Sequence, residues 1–178
     1  PVGVYFHIPF CRKRCHFCYF KVYTDKDSSE IKNYLDAALK ELAFYAAKPF
    51  IGGRKPRFVY FGGGTPSYLS EGQLRHLTDE MKSLLPWDEV EEVTFECEPG
   101  TLSEAKVHTL RQIGVTRISL GVEHFDDAIL RDYVSAPASP EIYTAWPWIE
   151  AAGFANTNVD LIAGMVGEDW DNWKDCVA

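Results

Sequence analysis

Val4-Tyr-Phe-His-Ile-Pro-Phe-Cys11-Arg-Lys-Arg-Cys15-His-Phe-Cys18 joins an apolar strand to a cluster of thiols. The first half is a β-branched and aromatic run closed by Pro9, the pattern of a buried strand. The second half is too polar to bury, with Arg12, Lys13, Arg14 and His16 between the cysteines, so the three thiols sit on a loop at a strand end. Cysteines this close form a metal site, and iron-sulfur clusters are bound by thiolates at such spacings. The usual cubane takes four ligands, and only three are local. Zinc is the weaker alternative, because it needs a fourth ligand and His16 could supply one only with strained geometry. Three buried structural thiols are disfavoured by the same polarity.

The strand pattern recurs along the chain. Val2–Pro9, Arg57–Gly62, Glu92–Cys97, Thr116–Val122 and Thr157–Ile162 are the strand candidates, with longer helical patterns between them, the order of βα units on a parallel sheet. Asp27 and Glu30 predict a capping box before Ile31, Leu35, Ala38, Leu42 and Tyr45, in a helix ending near Lys48. Ser70 and Gln73 repeat the device before Leu74, Leu77 and Met81. Ser103 caps a helix that Gly114 stops, Ser139-Pro140 opens one that Gly153 closes and Pro147 kinks, and a last helix begins near Glu168. Residues 48–56, with two Pro and two Gly, form the loosest loop. The fold class is α/β: a partial parallel (β/α) barrel of about five units, with its site at the strand C-termini. Five units cannot close an eight-stranded barrel. Beginning at Pro1 and ending inside a helical pattern, residues 1–178 are expected to be one incomplete core domain, truncated at the C-terminus.

A net charge of -8 disfavours nucleic acid as partner, since phosphate binding relies on dense Lys and Arg. No apolar run reaches the roughly 20 residues that span a bilayer. Five cysteines, three clustered and two isolated, do not suit a secreted disulfide framework, so a reducing, cytoplasmic setting is expected.

Cys-x3-Cys-x2-Cys with an aromatic before the last cysteine resembles the radical S-adenosylmethionine (SAM) superfamily. The resemblance implies a 4Fe-4S cluster on Cys11, Cys15 and Cys18 whose fourth iron is left open for SAM, the logic of a catalytic metal site with a free coordination position. More closely, the chain is similar to the branch of oxygen-independent coproporphyrinogen III oxidase and haem chaperone W. Tyr5-Phe-His-Ile-Pro-Phe-Cys11 matches its opening strand, and Tyr60-Phe-Gly62-Gly63-Gly64-Thr65-Pro66-Ser67 its glycine motif, where glycines let backbone approach a ligand. By this resemblance Tyr5, Phe17, Gly63, Gly64 and Thr65 contact SAM. Glu96 in Phe95-Glu-Cys-Glu-Pro-Gly-Thr101, Glu123 in Arg117-Ile-Ser-Leu-Gly-Val-Glu123 and Asp160 in Asn158-Val-Asp-Leu-Ile-Ala-Gly164 complete the set. Strand alternation puts Glu96 and Glu98 on one face and sends Cys97 to the core. His7 reads as a packed, hydrogen-bonded residue, and the Arg12-Lys13-Arg14 triplet as a solvated face.

Two departures from the branch stand out. Glu123 occupies a position that is normally Gln, so a donor is lost unless the acid holds a proton. The Arg expected after it is absent from Tyr133-Val-Ser-Ala-Pro-Ala-Ser139, and Arg131 is the nearest substitute. Phe20 stands where the oxidases tend to carry a fourth Cys. The resemblance implies an oxidoreductase that forms a 5′-deoxyadenosyl radical, as in the oxidative decarboxylation of porphyrin biosynthesis. A haem chaperone without oxidase activity, or a radical methylase or cyclopropane-forming relative, is the alternative. Implied partners are a porphyrinogen-like or other organic substrate, or haem, and a reductant such as flavodoxin or ferredoxin.

Overall fold

The computed structural model describes residues 2–131 and 139–178. Five parallel strands pair in sequence order: β1 (Val2–Ile8), β2 (Pro56–Gly63), β3 (Glu92–Cys97), β4 (Arg117–Glu123) and β5 (Asn156–Leu161). The strands therefore fall within a residue or so of the expected bounds. Connections run through α1 (Ser28–Ala46), α2 (Glu71–Leu84), α3 (Glu104–Gln112), and the pair α4 (Asp127–Leu130) and α5 (Ser139–Ala152), with α6 (Trp170–Val177) following β5. The short α4 was not expected. Both capping boxes form as anticipated, Asp27 with Glu30 and Ser70 with Gln73, and Ser103 caps α3. Gly114 and Gly153 take positive φ after α3 and α5, which lets those helices stop. α5 runs unbroken through Pro147, and α6 starts at an Asp169 cap rather than at Glu168. Tyr133 to Ala138 lie outside the described residues.

Each strand shows two different faces. Phe6, Ile8, Val59, Phe61, Val93, Phe95, Ile118, Leu120 and Val122 share one apolar core with Leu35 of α1, Leu74 and Leu77 of α2, Leu110 of α3 and Ile149 of α5. Strands laid down in order with right-handed crossovers place these helices on that single face. Phe61 and Phe95 are fully buried, each contributing roughly 2–3 kcal/mol through removal of apolar surface from water. The alternate positions carry Tyr5 and His7 on β1, Tyr60 and Gly62 on β2, Thr94 and Glu96 on β3, Ser119 and Gly121 on β4, and Asn158 and Asp160 on β5. A polar face opposite the helices belongs to the inside of a barrel wall, and its C-terminal rim carries the site.

Candidate functional site

The cysteine loop is seated by an extension of the β1–β2 ladder. Beyond the strand ends, Gly64 N–H donates to Ile8 O at 2.8 Å and Thr65 N–H to Phe10 O at 2.8 Å. A Cβ on Gly64 would stand 2.9 Å from Phe10 O and 3.0 Å from Cys11 Sγ, so only glycine lets the loop settle there. The loop closes on itself where Cys11 N–H donates to Tyr23 O and Tyr23 N–H to Pro9 O. Gly63 adopts φ 119 with the His7 ring packed where its Cβ would be, and Tyr5 Oη lies 3.0 Å from His7 Nδ1. The glycine motif lines the cavity and at the same time seats the cysteine loop. The N–H groups of Gly63, Gly64 and Thr65 all have protein acceptors, and its free space admits the cysteine loop.

Cys11, Cys15 and Cys18 are free thiols that line one cavity of about 330 Å³ at the strand C-termini. The same cavity is lined by Phe17, Gly63, Gly64, Thr65, Glu96, Glu98, Glu123 and Asp160. Tyr5, half-exposed on β1, does not line it but stacks on Tyr60 at 5.9 Å. Burial raises the Cys11 thiol, opposed by a hydrogen bond from Thr65 Oγ1 to Cys11 Sγ at 3.4 Å. Burial, then Glu123 and Glu98, push Cys15 up to about 11. Among the described residues no His, Cys, Asp or Glu side chains converge as a single-ion site. A cubane makes a different demand, since each thiolate binds its own iron at a separate corner. Three free thiols on one polar loop facing one cavity meet that demand. Cys97, fully buried, has its thiol turned to Phe95 O and pushed up to about 12 by burial, so it belongs to the core.

The four carboxylates differ in their partners. Glu96 accepts from Tyr60 Oη at 2.6 Å and from Gly63 N–H at 3.1 Å. Asp160 accepts from Ser119 Oγ at 2.7 Å and Asn158 Nδ2 at 2.8 Å. Glu98 pairs with Arg12 at 2.8 Å and receives Thr65 Oγ1 at 3.5 Å. The Glu123 carboxyl has no hydrogen-bond donor among the described residues, while its backbone carbonyl accepts from Ile162 N–H at 2.8 Å. The residue sits at a bulge in the β4–β5 register with φ 68, a conformation unusual for any residue but glycine. Burial, then Asp160 and Glu98, push its carboxyl up to about 7. An acid held there carries a proton for much of the time at neutral pH, and so regains the donor that Gln would supply.

Sequence reasoning missed the residues that hold these groups. Tyr60 and Ser119 were visible as polar residues inside strands, a signal that they face the site. Arg12 departs from the expectation of a merely solvated face: still partly exposed, it forks onto Glu141 of α5 and reaches Glu98 and Gly100 O, pairings across 86 to 129 residues that no local pattern reveals. Beneath the cavity, Lys106 Nζ donates to Ser67 O at 2.7 Å and Thr101 O at 2.9 Å, tying the turns after β2 and β3 together. Arg131 ends α4 and is exposed.

A partial (β/α) barrel with a cavity, acidic side chains and free thiols at the strand C-termini defines a cofactor-dependent α/β core. The chain belongs to the radical SAM superfamily, whose family model matches residues 5–178. The cofactors of that family are a 4Fe-4S cluster and SAM. Within it the chain falls in the branch of coproporphyrinogen oxidase and haem chaperone. It is 34% identical over 167 residues to the haem chaperone HemW of Bacillus subtilis, covering 93% of this chain and 43% of that protein. It is 31% identical over 166 residues to the oxygen-independent coproporphyrinogen III oxidase of Synechocystis, covering 93% of this chain and 35% of that protein. The structure of HemN, the Escherichia coli oxidase described as a radical SAM enzyme, superposes with a TM-score of 0.90 at 28% identity, covering 99% of this chain and 40% of that one. The chain thus spans less than half the length of these relatives. No helix among the described residues is long and apolar enough to cross a membrane.

Proposed function

We propose that this chain is the SAM-cleaving core of an oxidoreductase of the oxygen-independent coproporphyrinogen III oxidase type. The observation that carries the proposal is the convergence of three free thiols and Glu96, Glu123 and Asp160 on one cavity. In this reading Cys11, Cys15 and Cys18 hold the cluster, and Tyr5, Phe17, Gly63, Gly64, Thr65, Glu96, Glu123 and Asp160 form the SAM site. Held there and reduced, the cluster would supply the electron for reductive cleavage of SAM, the chemistry by which this family activates an organic substrate for hydrogen abstraction. The chain's own residues have narrower tasks. Glu96, already fixed by Tyr60 and Gly63, offers a preset acceptor to an ammonium group, at no cost in side-chain ordering. Asp160, fixed by Ser119 and Asn158, offers a second acceptor to hydroxyl or amine donors. The apolar part of the lining, Phe17 with Phe20 and Val22, excludes water from the reacting group.

The electron comes from a small acidic redox protein of the flavodoxin or ferredoxin type. Lys13, Arg14 and Lys21, all exposed around the cysteines of an otherwise acidic chain, support that polarity. A second reading is a haem chaperone that keeps the cluster and SAM site but hands on haem. It is favoured by Phe20 at the place of the oxidases' further Cys and by 34% identity to HemW.

Anaerobic reconstitution tests both levels. Iron and sulfide at a 4Fe-4S ratio, lost in Cys15→Ala, are expected, and unchanged content in that variant sinks the cluster assignment. Added to the full-length protein with SAM and dithionite, coproporphyrinogen III is expected to yield protoporphyrinogen IX. Stable haem transfer without that product decides for the chaperone.

A further inference from the structure

Arg12, placed between the first two cluster cysteines, reaches out of its loop to two other elements. Nη1 and Nη2 donate to Glu141 Oε1 and Oε2 of α5, both at 2.9 Å, the parallel fork in which guanidinium binds carboxylate best. Nη2 also donates to Glu98 Oε1 at 2.8 Å, and Nη1 to Gly100 O at 3.3 Å. The single Thr65 Oγ1 proton has two acceptors within reach, Glu98 Oε2 at 3.5 Å and Cys11 Sγ at 3.4 Å. By occupying Glu98, Arg12 therefore biases that proton towards the Cys11 sulfur. The three charged side chains are each only about one-third exposed, so water screens them incompletely. The turn makes room for them: a Cβ on Gly100 would overlap both Glu141 Oε2 and Arg12 Nη2.

We propose that Arg12 is a positioning residue that clamps the cysteine loop to α5 and the β3 turn and neutralises Glu98 beside the cluster, thereby raising the cluster's reduction potential. The proposal rests on the assignment of the cluster to Cys11, Cys15 and Cys18. Reduction adds one negative charge to the cluster, and local charge and hydrogen bonding to the sulfurs set how readily it is accepted. With Arg12 in place, the Glu98 carboxylate is compensated. Without it, Glu98 and Glu141 both face the cavity unpaired.

The test is an EPR-monitored redox titration of the anaerobically reconstituted chain, with iron and sulfide measured on the same samples. Arg12→Gln is expected to move the midpoint to more negative values, and Arg12→Lys to recover most of that shift, because it restores the charge without the fork. Glu141→Gln is expected to move the midpoint the opposite way, since it removes a carboxylate and leaves Arg12 on Glu98; it also serves if Arg12→Gln assembles poorly. Wild-type midpoints in both Arg12→Gln and Glu141→Gln at full iron content overturn the role of Arg12, as do shifts of the same sign. A wild-type chain that takes up no iron and sulfide instead overturns the cluster assignment beneath it.

Discussion

β3 and β4 lie side by side, and each brings a glutamate to the same cavity, yet the two acids live under opposite conditions. Glu96 leaves a regular strand and meets two donors, Tyr60 Oη and Gly63 N–H. Glu123 leaves its strand through a bulge at positive φ and meets Asp160 and Glu98. The difference shows that identical carboxyl groups on neighbouring strands are assigned different chemistry by their surroundings. The β1–β3 wall is finished before any ligand arrives, whereas the β4 wall stores strain and unmet charge that a ligand or a proton can relieve.

The largest effect should come from breaking the finished wall at its seam. Gly64→Ala drives a methyl into Phe10 O, Ile8 O and Cys11 Sγ, and should cost on the order of 3 kcal/mol in urea unfolding of the cluster-free chain. Reconstituted iron content should fall with it, and wild-type content in this variant would mean that the seam does not seat the loop.

Glu123 gives the next effect, with a sign that distinguishes the walls. Its folded carboxyl titrates near about 7 and its unfolded one near 4.5, so the fold binds the proton more tightly. The associated stability is fully present below 4.5, declines as pH rises to about 7, and is absent above that. The decline amounts to roughly 3 kcal/mol at 1.36 kcal/mol per pK unit. Glu123→Gln should flatten this slope in urea titrations of the cluster-free chain between pH 5 and 8, and should stabilise it at pH 8. A slope as steep as wild type refutes the account of this wall.

The smallest effect belongs to Tyr60→Phe, which removes one donor from Glu96 and leaves Gly63 N–H in place. A loss of about 1–2 kcal/mol is expected at both pH 5 and pH 8, read from the same titrations. If Tyr60→Phe proves neutral while Glu123→Gln destabilises at pH 8, the contrast between the walls is the reverse of that drawn from their hydrogen bonds.

Much of this was legible in sequence because it is local. The strands follow from runs such as Phe58-Val-Tyr-Phe61, the helix starts from Asp27 with Glu30 and Ser70 with Gln73, and the thiol loop from spacing within eight residues. Residues of the cavity could be marked because Glu96, Glu123 and Asp160 stand in motifs that resemble those of the family, each at a strand end. What escaped prediction depends on distance along the chain. The fork from Arg12 to Glu141 spans 129 residues, and the charge of Arg12 looked like that of any exposed loop. The packing of His7 against Gly63 and of the cysteine loop against Gly64 also lay hidden, because the two glycines have the same signature whether backbone, side chain or ligand fills the adjacent space.

The contact between Thr65 Oγ1 and Cys11 Sγ closes a gap of 54 residues, and it exists only as the prolongation of parallel pairing between β1 and β2. Parallel neighbours cannot meet through a tight hairpin; the whole of α1 must be synthesised and folded between them. The three cysteines precede in the chain the Gly62–Pro66 segment that seats them, so their loop gains its scaffold only once that segment is made. Metal loading that precedes this moment meets a flexible thiol peptide, and loading that follows it meets a preset loop. Under the proposed cluster assignment, the strand order thus makes closure of the β1–α1–β2 unit the event that separates these two kinds of loading.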